Sequence, residues 1–426
     1  MEQPTRFIGM DVHKDTIAVA VTATGDRGAA TPYGTCPNTT AALEKLVKRL
    51  RQAGSGPMRV CDEAGPCGHG VHRTLTRLGE ECTVVAPAMM PRKRGDRQKN
   101  DKRDAANLAV LHRGGLLTAV WVPDAAHEAM RDLIRARLAA VRAVRSARQQ
   151  LSAFLLRQER VCPQGRKAWT KAHRRWLAEQ RFAQPAQQIV PEEGIEAVRL
   201  NEQRRDRVEG CLRAQIPTWS LCPLVRNLAA LRGLDGIASA GLAAAMGDPA
   251  RFASAPGFMA HLGLVPSEHS SGRKRRIGAL TKAGDSHART LLVEAAHCCR
   301  FPPRITRHKL AAVDAVPEAV REIARRAQTR LCQRHRQMTA RGKLKQVVVT
   351  AIARELAGFV WATACVTSEP PRKTVVEADV PQAPVQVGPR AGRAPRPQPL
   401  KRNTSRAEQP VNDPDRRVLP HRPERP

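Results

Sequence analysis

Aromatic residues are scarce in this chain: of 426 residues only 3% are Phe, Trp or Tyr, with a single Tyr. Holding single strands by rows of stacked bases needs many ring faces, so that mode of recognition is disfavoured. Acidic residues are few as well. There are 39 Asp and Glu against 72 Lys and Arg, a formal net charge of +33. The chain has 11 Cys but no C-x-x-C pair; Cys61 and Cys67 stand six apart, and Cys298 and Cys299 are adjacent. This scatter fits reduced thiols in a cytoplasmic protein, and a zinc site would need tighter ligand spacing. The opening MEQPTRFIGM has neither a basic n-region nor an apolar h-region, so no secretory signal is expected. The most apolar late stretch, 347–366, carries Arg354 and Glu355 side by side and reads as a buried helix, not a membrane span.

What is plentiful is positive charge. It calls for a polyanionic partner, and nucleic acid gripped at its phosphates by Arg and Lys is the expected one. No membrane partner is expected. A chain of this length holds two or three domains, and its patterns divide it at about 124, 215 and 366.

Residues 1–124 alternate strand and helix signals, an α/β layer pattern. RFIGMDVH and TIAVAVTAT read as a hairpin, with Lys14 and Asp15 between them. TTAALEKLVKRLRQAG reads as a Thr-capped helix with a Gly stop. PMRVCDE and CTVVAP read as strands around the helix VHRTLTRLGE, and TAVWVPD as a last strand.

In 125–215 an apolar stripe of helical period runs through Ile134, Leu138, Val141, Val144, Leu151 and Leu155. With a second long helix over 193–213 it suggests an antiparallel coiled-coil arm. Arg131, Arg135, Arg142, Arg145 and Arg148 accompany the stripe, as a solvated face or a phosphate-contacting one. In 216–366 helices dominate. LAALRGLDGIASAGLAAAMGD resembles a helix–hairpin–helix, whose backbone amides could face a phosphate. The Pro/Arg-rich tail, 367–426, holds 12 basic and 7 acidic residues, leaving +28 on the rest; it is expected to be disordered.

In KNDKRDAANLAVL, 99–111, Asp101 and Asp104 stand three apart among Lys99, Lys102 and Arg103, at the mouth of a helix. On a helix they share one face and repel. An N-cap with a first-turn acid would explain them. Two further acids point elsewhere. Asp11 sits inside the apolar run FIGMDVHK, where a carboxylate needs a metal or a strong partner. Glu63 ends another apolar run, at the strand end where α/β sites form. Four carboxylates brought together would suit Mg2+ or Mn2+ and phosphodiester chemistry. Asp62 should point the other way from Glu63, and Asp15 and Asp96 read as turn residues. Later in the chain, GLVPSEHSSG leads into a four-residue basic run, 273–276, and then TKAGDSHARTLLVEAA. A serine beside such cations is a loop residue or a nucleophile toward a phosphate.

The ordered set FIGMDVHK, DEAGPCG, KNDKRDAANLA and GLVPSEHSSG…TKAGDSHARTLLVEAA resembles the DEDD transposases of the insertion sequence 110 family, which are bridge-RNA-guided recombinases. The resemblance covers about 6–366. It implies a resolvase-like RNase H fold at the N-terminus, with Asp11, Glu63, Asp101 and Asp104 as a tetrad for Mg2+ or Mn2+. It implies a C-terminal transposase domain in which Ser271, before Gly272, is the nucleophile, with Ser270 the nearest alternative, and a coiled coil between the two domains. DNA strand exchange through a covalent phosphoserine link would follow, with element ends and target as the DNA and a non-coding bridge RNA pairing with both. Composite sites imply a homo-dimer or tetramer, and the setting would be cytoplasmic, at the nucleoid. The tail and 159–190 have no matched counterpart.

Three rivals remain. A junction-resolvase-like nuclease would use the carboxylates and water, and tolerate loss of Ser271. An actin-like ATPase would need a second phosphate loop and an adenosine motif, neither of which is found. A basic scaffold would leave the aspartates unexplained.

Overall fold

The computed structural model describes residues 3–91, 100–163, 167–272 and 274–368, which lie in one compact unit. Asp96, Lys99, Arg273 and the tail beyond 368 fall outside the described residues.

β1 (Arg6–Val12) and β2 (Thr16–Ala23) form the expected antiparallel hairpin, its turn closed by the His13 amide on the Thr16 carbonyl at 2.8 Å. β3 (Thr31–Pro37) pairs antiparallel with β2 and was not legible in the sequence. It is an edge strand with only Cys36 buried, so it has no apolar alternation to read. α1 (Thr40–Gln52) is capped by Thr39, as expected. β4 (Met58–Glu63), α2 (Gly70–Arg77) and β5 (Glu81–Val85) follow, and β4 and β5 extend the sheet in parallel. The strand order is β3-β2-β1-β4-β5. TAVWVPD is not a strand. Ala119 makes a single bridge to Val85; Trp121 then turns away under the Arg251 guanidinium, 4.9 Å from the ring centroid. Pro123 has no amide with which to continue a ladder.

The two faces of the sheet are covered differently. α1 and α2 press Leu43, Leu46, Leu50 and Leu75 onto Ile8, Met10, Ile17 and Val60. The other face carries α3 (Asp101–Arg113) over small residues, with Ala105 and Ala109 against Ala18 and Ala20. Gly9 permits this closeness: a Cβ there would lie 2.1 Å from the Ala105 carbonyl oxygen and 2.5 Å from the Ala109 nitrogen.

α4 (Ala125–Arg157) carries the predicted stripe, with Ile134, Val144, Leu151 and Leu155 buried. After α5 (Lys171–Ala178), α6 (Pro185–Gln215) runs back along it. Arg137 meets Glu209 at 2.8 Å and Leu151 covers Gly194, which fixes the antiparallel direction. α6 begins at Pro185 rather than 193. Its first-turn proline is well placed, but Pro191 inside the helix masks the signal. Of the predicted arginine face, Arg148 is bonded to Glu202 and Arg135 pairs with Asp132 at 3.0 Å, while Arg142 and Arg145 are exposed.

The remaining elements are mostly helical: α7 (Cys222–Ala229), α8 (Gly236–Met246), α9 (Ala255–His261), β6 (Pro266–Glu268), β7 (Ile277–Leu280), α10 (Ser286–Ala296), α11 (Arg307–Asp314), α12 (Glu318–Ala340) and α13 (Lys345–Ser368). α7 and α8 form the expected helical hairpin. The α8 N-terminus is taken by its own Asp235, which accepts from the Ala238 amide at 2.7 Å, so a phosphate there would meet a carboxylate. Among the described residues α13 alone is long and apolar enough to cross a membrane. It is instead a core helix, burying Val349, Ile352, Leu356 and Val360 in the main cluster, and its Glu355 binds Arg330 and Arg334.

Gly9→Ala is expected to lose at least about 1–3 kcal/mol of stability by forcing α3 off β1. Gly28→Ala, where an added Cβ meets nothing within 4 Å, should stay within about 0.5 kcal/mol of the parent. Urea midpoints of the two variants check this.

Candidate metal centre and serine hairpin

Strand alternation sorts the acids. Asp11 follows Gly9 on the face of β1 that α3 covers, and is 8% exposed. The last parallel pair between β1 and β4 is Met10 with Asp62, so Asp11 and Glu63 are the next neighbours, on the same side. Glu63 is half-buried at the end of β4. On α3 the capping role is filled by Asn100, whose side chain accepts from the Lys102 amide at 3.1 Å. Asp101 and Asp104 are thereby spared the capping role, in the first turn at the end of α3 that reaches Asp11.

His13 was missed in the sequence. Its Nε2 lies 3.3 Å from Asp11 Oδ2 and 3.4 Å from Asp101 Oδ1. Ligand atoms of Asp11, His13 and Asp101 all lie within 4.8 Å of one another. The signal was the period of two in DVH, which returns residue 13 to the face of residue 11.

Burial pushes the Asp11 carboxyl up; the His13 charge pulls it down, and repulsion from Asp101 and then Asp104 raises it again. Asp11 Oδ2 is buried with no well-aligned hydrogen-bond donor, although His13 Nε2 stands 3.3 Å away. An orphaned carboxylate oxygen beside a second carboxylate and an imidazole is an oxygen-rich donor set that fits a divalent cation.

Asp62 points to the opposite face, as its place on β4 requires. It is 2% exposed, with Cys82 Sγ 4.0 Å from its Oδ1. Burial pushes its carboxyl up to about 7, against a bond to its own backbone amide.

Ser271 lies elsewhere, at the tip of the β6–β7 hairpin, on the helical part of the chain. Ser271 and Lys274 exchange backbone bonds of 3.1 and 3.0 Å, and Gly272 turns with φ +55°. An added Cβ at Gly272 would meet nothing within 4 Å, so the glycine is needed for conformation, not for space. Among the described residues the Ser271 hydroxyl has no hydrogen-bond partner, whereas that of Ser270 bonds Glu268 Oε1 at 2.8 Å.

Comparison with known proteins places these features in one family. Residues 8–158, which hold all four acids, match the DEDD transposase model of the IS110 group. Residues 225–309, which hold Ser271, match the transposase IS116/IS110/IS902 family. The y4qE protein of Sinorhizobium fredii, which carries a provisional transposase name, is 47% identical over 358 residues, 84% of this chain and 88% of its own length. The transposase for insertion sequence element IS1533 of Leptospira borgpetersenii is 30% identical over 232 residues, 54% of this chain and 66% of that protein. The transposase for insertion sequence element IS1328 of Yersinia enterocolitica is 25% identical over 247 residues, 56% of this chain and 70% of that protein. The chain is thus a transposase, an enzyme that cuts and rejoins DNA. It belongs to the IS110 family of insertion-sequence transposases.

The raised Asp62 carboxyl gives a prediction with a definite sign. Ionised Asp62 costs the fold nothing below the ordinary carboxylate range and most above about 7. Asp62→Asn should therefore be more stable than the parent at about pH 8, by up to roughly 4 kcal/mol, and lose that advantage near pH 4. Urea unfolding at the two pH values measures it.

Proposed function

We propose that this transposase recombines DNA with a two-part active site. Asp11, Glu63, Asp101 and Asp104 hold Mg2+ or Mn2+, with His13 beside them, and Ser271 is the nucleophile. The observation that carries the reading is Asp11 Oδ2, buried without a well-aligned hydrogen-bond donor and clustered with ligand atoms of Asp101 and His13. When bound, the divalent cation supplies Lewis-acid stabilisation of charge on the phosphate oxygens. The remaining work belongs to the chain. Ser271 Oγ gives up its proton and forms the Oγ–P bond. The P–O bond to one neighbouring sugar breaks, and that sugar oxygen leaves as a hydroxyl. The energy of the diester is kept in the phosphoserine link, so the strand can be passed to a new hydroxyl without a free break.

The sheet order β3-β2-β1-β4-β5, antiparallel in its first three strands and parallel in the rest, supports a resolvase-like RNase H domain over 1–124. The antiparallel α4–α6 pair supports a coiled-coil arm over 125–215, and the serine hairpin lies in a transposase domain over 216–366. The hairpin and the acids sit on separately packed elements, which favours a dimer or tetramer whose sites combine parts of two subunits. A charge of +28 outside the tail suits a bridge RNA as well as DNA.

A water-using, resolvase-like nuclease is the second reading, favoured only by the carboxylates. The two are separated by incubating the protein, its co-expressed RNA and Mg2+ with DNA carrying the joined element ends, then running a denaturing gel. A covalent protein–DNA band lost in both Ser271→Ala and Asp104→Ala is expected; cleavage with no such band, unchanged in Ser271→Ala, would establish the nuclease.

Cation binding has its own readout. Because ionised Asp11 is costly in the metal-free fold, Asp11→Asn should raise the metal-free unfolding temperature at alkaline pH, and less so as the pH falls. Mg2+ at a hundredfold excess over its Kd should stabilise the parent by about 2.7 kcal/mol. Asp11→Asn should lose that gain in a thermal-shift titration.

A further inference from the structure

The serine hairpin carries a second hydroxyl in quite different surroundings. One ladder step back from the Ser271–Lys274 pair, the His269 amide donates to the Arg276 carbonyl at 2.9 Å. The return bond does not go to His269. The Arg276 amide donates instead to Ser270 Oγ, at 3.2 Å. Ser270 gives its own proton to Glu268 Oε1 at 2.8 Å, and the same oxygen accepts from Arg275 Nε at 3.2 Å. The Ser270 hydroxyl is thus engaged as donor and as acceptor inside the hairpin. The Ser270 hydroxyl first, and Arg275 next, hold the Glu268 carboxyl below its ordinary range.

Such a hairpin needs internal bracing. β6 has three residues and β7 four, and two-stranded ribbons are marginal on their own. Leu280, at the base, packs against the main core, while Ile277 toward the tip is 56% exposed. Order at the tip therefore depends on the turn pair and on the Glu268–Ser270–Arg276 bonds. Strand alternation puts Glu268 and Ser270 on one face and Ser271 on the other. The bracing occupies the face opposite the hydroxyl that must reach a phosphate.

We infer that Ser270 and Glu268 are positioning residues for the reaction at Ser271. They replace the missing ladder bond by a side-chain one and fix the backbone that presents the neighbouring hydroxyl. The inference rests on Ser271 being the nucleophile. It implies that the paired serines are not interchangeable: one is spent on structure so that the other is free.

The test uses the full-length protein with its co-expressed RNA, Mg2+ and DNA carrying the joined element ends. It follows the single-turnover rate of adduct formation and, separately, DNA affinity. Ser270→Ala should slow adduct formation about 10- to 100-fold, as a displaced nucleophile does, with DNA affinity unchanged. Ser270→Thr, which keeps a hydroxyl, should recover most of the rate, and Glu268→Gln should fall between. A wild-type rate in Ser270→Ala overturns the inference, as does a rate loss matched by an equal loss of DNA affinity, or no rescue by Thr. Ser271→Ala run alongside keeps the two readings apart. An adduct that persists in Ser271→Ala refutes the assignment of Ser271 itself, and one mapped by mass spectrometry to Ser270 makes that residue the nucleophile.

Discussion

The close approach of α3 to β1 is the constraint on which the candidate metal centre depends. Asp11 belongs to the sheet, and Asp101 and Asp104 belong to a helix that crosses it. They meet because Gly9 has no side chain and because Ala18, Ala20, Ala105 and Ala109 are small. Larger residues on this face would bury more apolar area and hold α3 more firmly, but they would also lift the two aspartates away from Asp11. The opposite face, filled by leucines, isoleucine and methionine, supplies the ordinary stability of the domain. The sheet thus has one face built for cohesion and one for proximity.

Charge is arranged on the same principle of separation. The chain is strongly basic, yet acids collect where α3 meets the sheet. Asn100 takes over the cap, which spares Asp101 and Asp104 that role. In the serine hairpin the division of labour is between neighbours: the Ser270 hydroxyl is hydrogen-bonded on two sides, and the Ser271 hydroxyl has no partner among the described residues.

Much of this was legible in the sequence because it is written in short-range periodicity. The β1–β2 hairpin, the Thr39 cap, the stripe of α4 and the opposed directions of Asp62 and Glu63 all follow from periods of two or 3.6. Where the fold escaped the sequence, tertiary context had replaced that signal. β3 is an exposed edge with one buried side chain; TAVWVPD pairs only through the single bridge at Ala119 before Trp121 packs beneath Arg251; α6 hides its first turns behind Pro191. For His13 the period of two in DVH is a weak signal, because β1 ends at Val12; its place beside Asp101 as well as Asp11 is a fact of the folded turn.

The division of the carboxylates between a strand and a helix has a thermodynamic corollary. A cation held by Asp11 and Asp101 together would bind only while α3 is docked, so its binding free energy would also be docking free energy, and the linkage would be reciprocal. Any ligand that changes the docking of α3 would change cation affinity by the same factor by which the cation changes affinity for that ligand. A cation at the candidate centre would then make it a coincidence detector, complete only when sheet, helix and substrate are all in register.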